Sequence, residues 1–169
     1  MTPAMSTKPG DNPPSRRRPF RDVAAASGLV TPADLDAAEA VARERLASEG
    51  GPESDAGEAD PHRRLGAATA GVLVEQGKLT PFQSREILAG RARFRLGQYT
   101  VIDEIGRGGM GQVFKAEHAL MGRHVAVKVL PRSKATPESE AAFRREMRIL
   151  GRLDHENLVR AFDAGYDAM

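Results

Sequence analysis

At Gln98 the spacing of apolar residues changes from a helical period to a strand period, and this change divides the chain. Upstream, three helix starts are marked by a capping side chain followed by proline: Thr31-Pro32, Asp60-Pro61 and Thr80-Pro81. Leu35, Ala38, Ala42 and Leu46 follow the first at helical spacing until Gly50-Gly51. Leu65, Thr69, Val72 and Leu73 follow the second, which Gly77 closes, and the third runs to Gly90. Downstream, Tyr99–Ile105, Gln112–Ala116 and His124–Leu130 read as strands. A helix is expected from Thr136-Pro137 to Leu150, and a further strand over Asn157–Phe162. That order predicts an α+β fold.

Three segments result. Residues 1–20 are Pro-rich and basic, with too few apolar groups to offset ordering entropy, and are expected to be a disordered tail. Residues 21–97 are expected to form a helical extension with an acidic loop near 50–60, and residues 98–169 a unit of their own. The net charge of +2 conceals opposite signs: the first 20 residues are basic, 21–60 acidic and 61–97 basic again. Apolar residues make up 40% and aromatics 5%, so the core-forming side chains must be concentrated locally. Cysteine is absent, which excludes disulfides, thiolate zinc sites and a cysteine nucleophile. No run approaches the roughly 18 apolar residues of a membrane span, and no apolar core follows the basic N-terminus. These features predict a soluble, cytoplasmic chain without a membrane segment, any anchor of a longer protein lying outside these residues.

Gly28-Leu29-Val30-Thr31-Pro32 returns as Gly77-Lys78-Leu79-Thr80-Pro81, a repeat that a helix stop followed by a helix start explains by itself. Arg16-Arg17-Arg18 and the alternating Arg91, Arg93 and Arg95 could contact phosphates. A solvated linker leading into a domain is the preferred reading of them, and no nucleic-acid partner is expected.

Chemistry concentrates in three places. Gly106, Gly108 and Gly111 form a G-x-G-x-x-G within Ile105-Gly106-Arg107-Gly108-Gly109-Met110-Gly111-Gln112-Val113. In a dinucleotide-binding fold such glycines open a helix, whereas here a strand follows. What remains is a glycine-rich hairpin whose backbone N–H groups can approach phosphate oxygens. Val125-Ala126-Val127-Lys128 directs Lys128 and Ala126 to one strand face, where a buried ammonium would need an anion. Phe143, Glu146, Met147 and Leu150 share a helix face, so Glu146 lies among apolar groups and is the natural partner of Lys128.

Over residues 98–169 these elements resemble the N-terminal lobe of a protein kinase, in particular the bacterial serine/threonine kinases of eukaryotic type. His155-Glu156-Asn157-Leu158-Val159 also resembles the turn into that family's fourth strand. The resemblance implies an incomplete kinase lobe, an antiparallel sheet with one helix, preceded by the helical extension. It implies ATP as cofactor. Gly106, Arg107, Gly108, Gly109, Met110 and Gly111 would cover the phosphates, while Ile105, Val113 and Ala126 would enclose the adenine ring. Lys128 would meet the α- and β-phosphates, and Glu146 would orient Lys128. Partners would then be ATP and a protein substrate.

The sequence also departs from the family. No H-R-D-x-x-x-x-N occurs, since none of His62, His118, His124 and His155 precedes Arg-Asp, and there is no D-F-G. Asp163-Ala164-Gly165 imitates D-F-G but lies too early. No Mg2+ ligand is therefore assigned, although the complete family uses Mg2+. The expectation is the ATP-binding opening of a longer serine/threonine kinase, inactive by itself. A non-catalytic nucleotide-binding or scaffold module is the alternative, and behind it a basic nucleic-acid-binding segment.

Overall fold

In the computed structural model, which describes residues 19–49, 60–108, 111–130, 135–157 and 161–164, four helices precede the strands. They are α1 (Phe20–Ser27), α2 (Pro32–Glu49), α3 (Pro61–Glu75) and α4 (Pro81–Leu88). The last three begin on proline, whose missing N–H has no partner to lose in a first turn. In each of these helices one further first-turn donor is met by a side chain. Thr31 Oγ1 accepts from Asp34 N–H at 3.1 Å, Asp60 from His62 N–H at 3.1 Å and Thr80 Oγ1 from Gln83 N–H at 3.1 Å. Gly28 and Gly77 both adopt φ 67°, the left-handed turn with which a helix commonly ends.

Helix α1 occupies the interval between the expected tail and the first expected helix. Its two buried apolar residues, Val23 and Ala24, are too few to leave a period in the sequence. It crosses α3 closely at Gly66, where a Cβ would lie 2.8 Å from Phe20 Cβ.

Four antiparallel strands follow in the order β1 (Arg95–Leu96), β2 (Tyr99–Gly108), β3 (Gly111–His118) and β4 (His124–Val129), and helix α5 (Pro137–Leu150) comes next. β1 was not expected, being two residues inside the arginine ladder. β2 is bulged twice against β3, between Val101 and Asp103 and between Glu104 and Gly106. The other strands lie where the sequence predicts them, within a few residues. The strand expected over Asn157–Phe162 crosses 158–160, outside the described residues; Asn157 is in a turn and 161–164 have no regular structure. Residues 1–18 and 50–59, assigned to the tail and acidic loop, are likewise outside.

A single buried cluster joins helices and sheet. Val23, Ala24, Leu35, Ala38, Ala42, Val72, Leu73, Phe82 and Ile87 continue into Phe94 and Val101, across the boundary expected at 97/98. Phe82 of α4 meets Phe94 edge-on at 6.4 Å between centroids and Phe114 of β3 at 6.1 Å. Val101, Phe114 and Ala116 share the sheet face that the helices cover. Cross-strand partners Val113 and Lys128 lie on the other face. The helical extension and α5 thus take opposite sides of one sheet. The mixed architecture is that expected: a curled antiparallel sheet with helices, consistent with the opening of a kinase lobe.

Candidate functional site

A groove of about 490 Å³ opens on the face away from α4, lined by Gly106, Arg107, Gly108, Gly111, Val113, Lys128 and Glu146. Strand pairing builds it. Gly108 faces Gly111 at the turn between β2 and β3, Gly106 faces Val113, and Val113 faces Lys128 on β4. The sequence-predicted residues that enter the groove therefore come from three adjacent strands and α5. Ile105, the extra residue of the second β2 bulge, is 59% exposed and does not line it. Ala126 is exposed on β4 and is also outside the lining. Gly109 and Met110 lie outside the described residues.

The three described glycines of the motif differ in what the fold demands of them. Gly111 has φ 135°, and a Cβ there would be 2.2 Å from the Val129 carbonyl oxygen. At Gly108 an added Cβ would meet nothing within 4 Å, and at Gly106 only Val113 at 3.8 Å. Packing thus requires glycine at 111, whereas at 106 and 108 the fold itself leaves room for a side chain.

Lys128 Nζ lies 2.6 Å from both carboxylate oxygens of Glu146. Both side chains are half-buried, so the ammonium and the carboxylate lose part of their hydration and compensate one another. The pair ties β4 to α5, a helix among whose residues none is buried. At the groove mouth, Arg107 grips Glu104 through two N–H donors at 2.7 and 2.8 Å. This contact holds the Glu104 carboxyl below its ordinary range and raises the Arg107 guanidinium. Among the described residues no three of His, Asp and Glu gather as a metal site. Arg91, one of the arginines considered for phosphate contact, is bound to Glu86 of α4 instead.

Residues 99–168 match the protein kinase domain, and the matched segment contains every element of the groove. The curated relatives agree. Serine/threonine-protein kinase Pkn1 of Myxococcus xanthus is 41% identical over 70 residues. The probable serine/threonine-protein kinase PknB of Corynebacterium glutamicum is 45% identical over 69. Residues 99–168, 70 of the chain's 169, thus resemble a protein kinase domain. A third kinase relative, the DNA damage-responsive serine/threonine-protein kinase RqkA of Deinococcus radiodurans, is 40% identical over 72 residues. Each alignment takes in 40–42% of this chain and only 10–11% of the relative. The kinase match begins at β2, so the helices upstream lie outside it. No described helix is long and apolar enough to cross a membrane.

Sequence reasoning missed Thr80 and Gln83, whose side chains reach from α4 to β2. Thr80-Pro81 marked a helix start and gave no sign of a second set of partners.

Proposed function

We propose that residues 98–169 are the ATP-binding part of a serine/threonine protein kinase, with the helical extension of 21–97 as its support. The observation that carries this reading is the unforced absence of side chains at Gly106 and Gly108 beside the Lys128–Glu146 pair. Backbone N–H groups of the β2–β3 turn would donate to phosphate oxygens, an approach that a side chain at 106 or 108 would obstruct. The Lys128 ammonium would neutralise the α- and β-phosphates while Glu146 fixes its direction. Ile105 and Ala126, implied by family resemblance to enclose the base, would have to reach it from outside the present groove lining. Protein kinases generally use Mg2+ with ATP, but the described residues offer it no cluster of ligands and no step is assigned to it. Transfer of the γ-phosphoryl to a protein hydroxyl also needs a base, and this sequence contains no H-R-D motif to supply one. The chain by itself is therefore expected to bind nucleotide weakly and to transfer nothing.

Calorimetric titration of the 169-residue chain with ATP tests this, with Lys128→Met as the comparison. Weak saturable binding that disappears in Lys128→Met supports the reading. Binding that ignores the substitution, or none at all, overturns it. Tight Lys128-dependent binding without transfer would favour the scaffold module instead.

A further inference from the structure

The capping box of α4 uses its hydrogen-bonding groups twice. Thr80 Oγ1 accepts from Gln83 N–H and donates its own proton to the Ile102 carbonyl at 2.7 Å. Gln83 Oε1 accepts from Thr80 N–H at 2.9 Å, while Gln83 Nε2 donates to the Val101 carbonyl at 2.7 Å. Gln83 is buried, so its amide has no water to turn to.

Both carbonyls belong to the first bulge of β2. Val101 pairs with Ala116 and Asp103 with Lys115, which leaves Ile102 as the extra residue. A bulge bends its strand and re-aims the residues beyond it, and here the G-x-G-x-x-G begins four residues later at Gly106.

The repeated hairpin provides an internal control. Gly28-x-x-Thr31-Pro32 has the same left-handed glycine and threonine cap as Gly77-x-x-Thr80-Pro81. In that copy Thr31 Oγ1 donates to its own Asp34 at 2.6 Å, closing the box on itself. Asp34 has no proton to offer a strand and accepts from Lys78 Nζ at 2.8 Å. The amide at position 83 is what lets the second copy reach outward.

We propose that Thr80 and Gln83 are positioning residues for the nucleotide loop: by holding both carbonyls of the Ile102 bulge, they set the height of Gly106 and Gly108 over Lys128. The effect on ligand rests on the ATP-binding reading, whereas the clamp can be observed without ligand.

The test uses the 169-residue chain. Gln83→Glu keeps the acceptor that closes the capping box and removes the donor to Val101. Thr80→Asp likewise keeps a good helix cap without a donor to Ile102 and carries the same test if the first variant does not fold. Losing one such bond should speed amide hydrogen exchange over 101–108 about tenfold and weaken ATP binding by a similar factor. Exchange in α2 and α3 should be unchanged. Thr80→Ser should behave as wild type, and Thr31→Val, which strips only the α2 cap, should leave 101–108 untouched. Unaltered exchange at 101–108 in both donor-less variants overturns the proposal, as does a rise spread evenly over the chain. If exchange responds as expected while wild type binds no ATP, the clamp stands and the nucleotide reading fails.

Discussion

Gly111 and Val129 are in backbone contact across β3 and β4, so close that a Cβ on Gly111 would lie 2.2 Å from the Val129 carbonyl oxygen. Gly111→Ala must therefore separate the strands or refold the turn. Backbone strain at φ 135° alone costs about 1–3 kcal/mol, and the clash adds to it. The expected result is a clear loss in the urea midpoint, with exchange rising along 111–118 and 124–129. An unchanged midpoint would mean that the strands do not meet as described.

Gly108→Ala should separate stability from ligand binding. A Cβ there enters open space, so unfolding free energy should move by no more than about 0.5 kcal/mol. The same methyl stands in the groove wall and should weaken ATP binding. Equal losses in folding and in binding would assign Gly108 to the fold.

Phe82 is 6% exposed and touches both the helical core and the sheet. Phe82→Ala should cost about 3–5 kcal/mol, a large fraction of a domain's total stability. Because the cluster is continuous, wild type should melt in one transition for helices and strands together. The expected signature is coincident curves from far-ultraviolet circular dichroism and a probe on the sheet. Two separate transitions would refute a shared core.

Acid should weaken ion pairs both within and between elements. The Lys78 ammonium, with help from Thr31, holds the Asp34 carboxyl far below its ordinary range. Arg91 lowers Glu86, and Arg107 lowers Glu104. Their contribution is complete above the unfolded carboxylate range, about pH 4, and is lost as pH falls through the lower folded values. The melting temperature should then fall more steeply below about pH 4 in wild type than in Asp34→Asn or Glu86→Gln. Parallel curves would show that these pairs do not stabilise the fold.

The groove was largely legible because its determinants are local. Glycines at fixed offsets before a strand, a lysine between valines and a glutamate at helical spacing from Phe143 and Leu150 each leave a mark in the sequence. Helix starts were legible for the same reason, since Thr-Pro and Asp-Pro carry their geometry with them. α1 and β1 were not, because eight and two residues are too short for a period to stand out. The α4–β2 clamp was hidden differently. Gln83 Oε1 satisfies a cap that is complete by itself, and nothing nearby in sequence indicates where the amide on the same carbon will donate.

The order of Phe82 and Phe114 along the chain bears on how the protein is made. A ribosome adding about 5–20 residues per second needs roughly 2–6 s to pass from one to the other. During that interval α4 is already synthesised; its hydroxyl and amide wait only for β2, but its aromatic ring has no β3 to meet. The nascent helices can close locally through α1–α3 and hold this surface as a template. β2 is then synthesised ahead of β3 and β4. A sheet docked in that order would take its bend from a surface synthesised earlier, and the delay is when a chaperone would find most to bind.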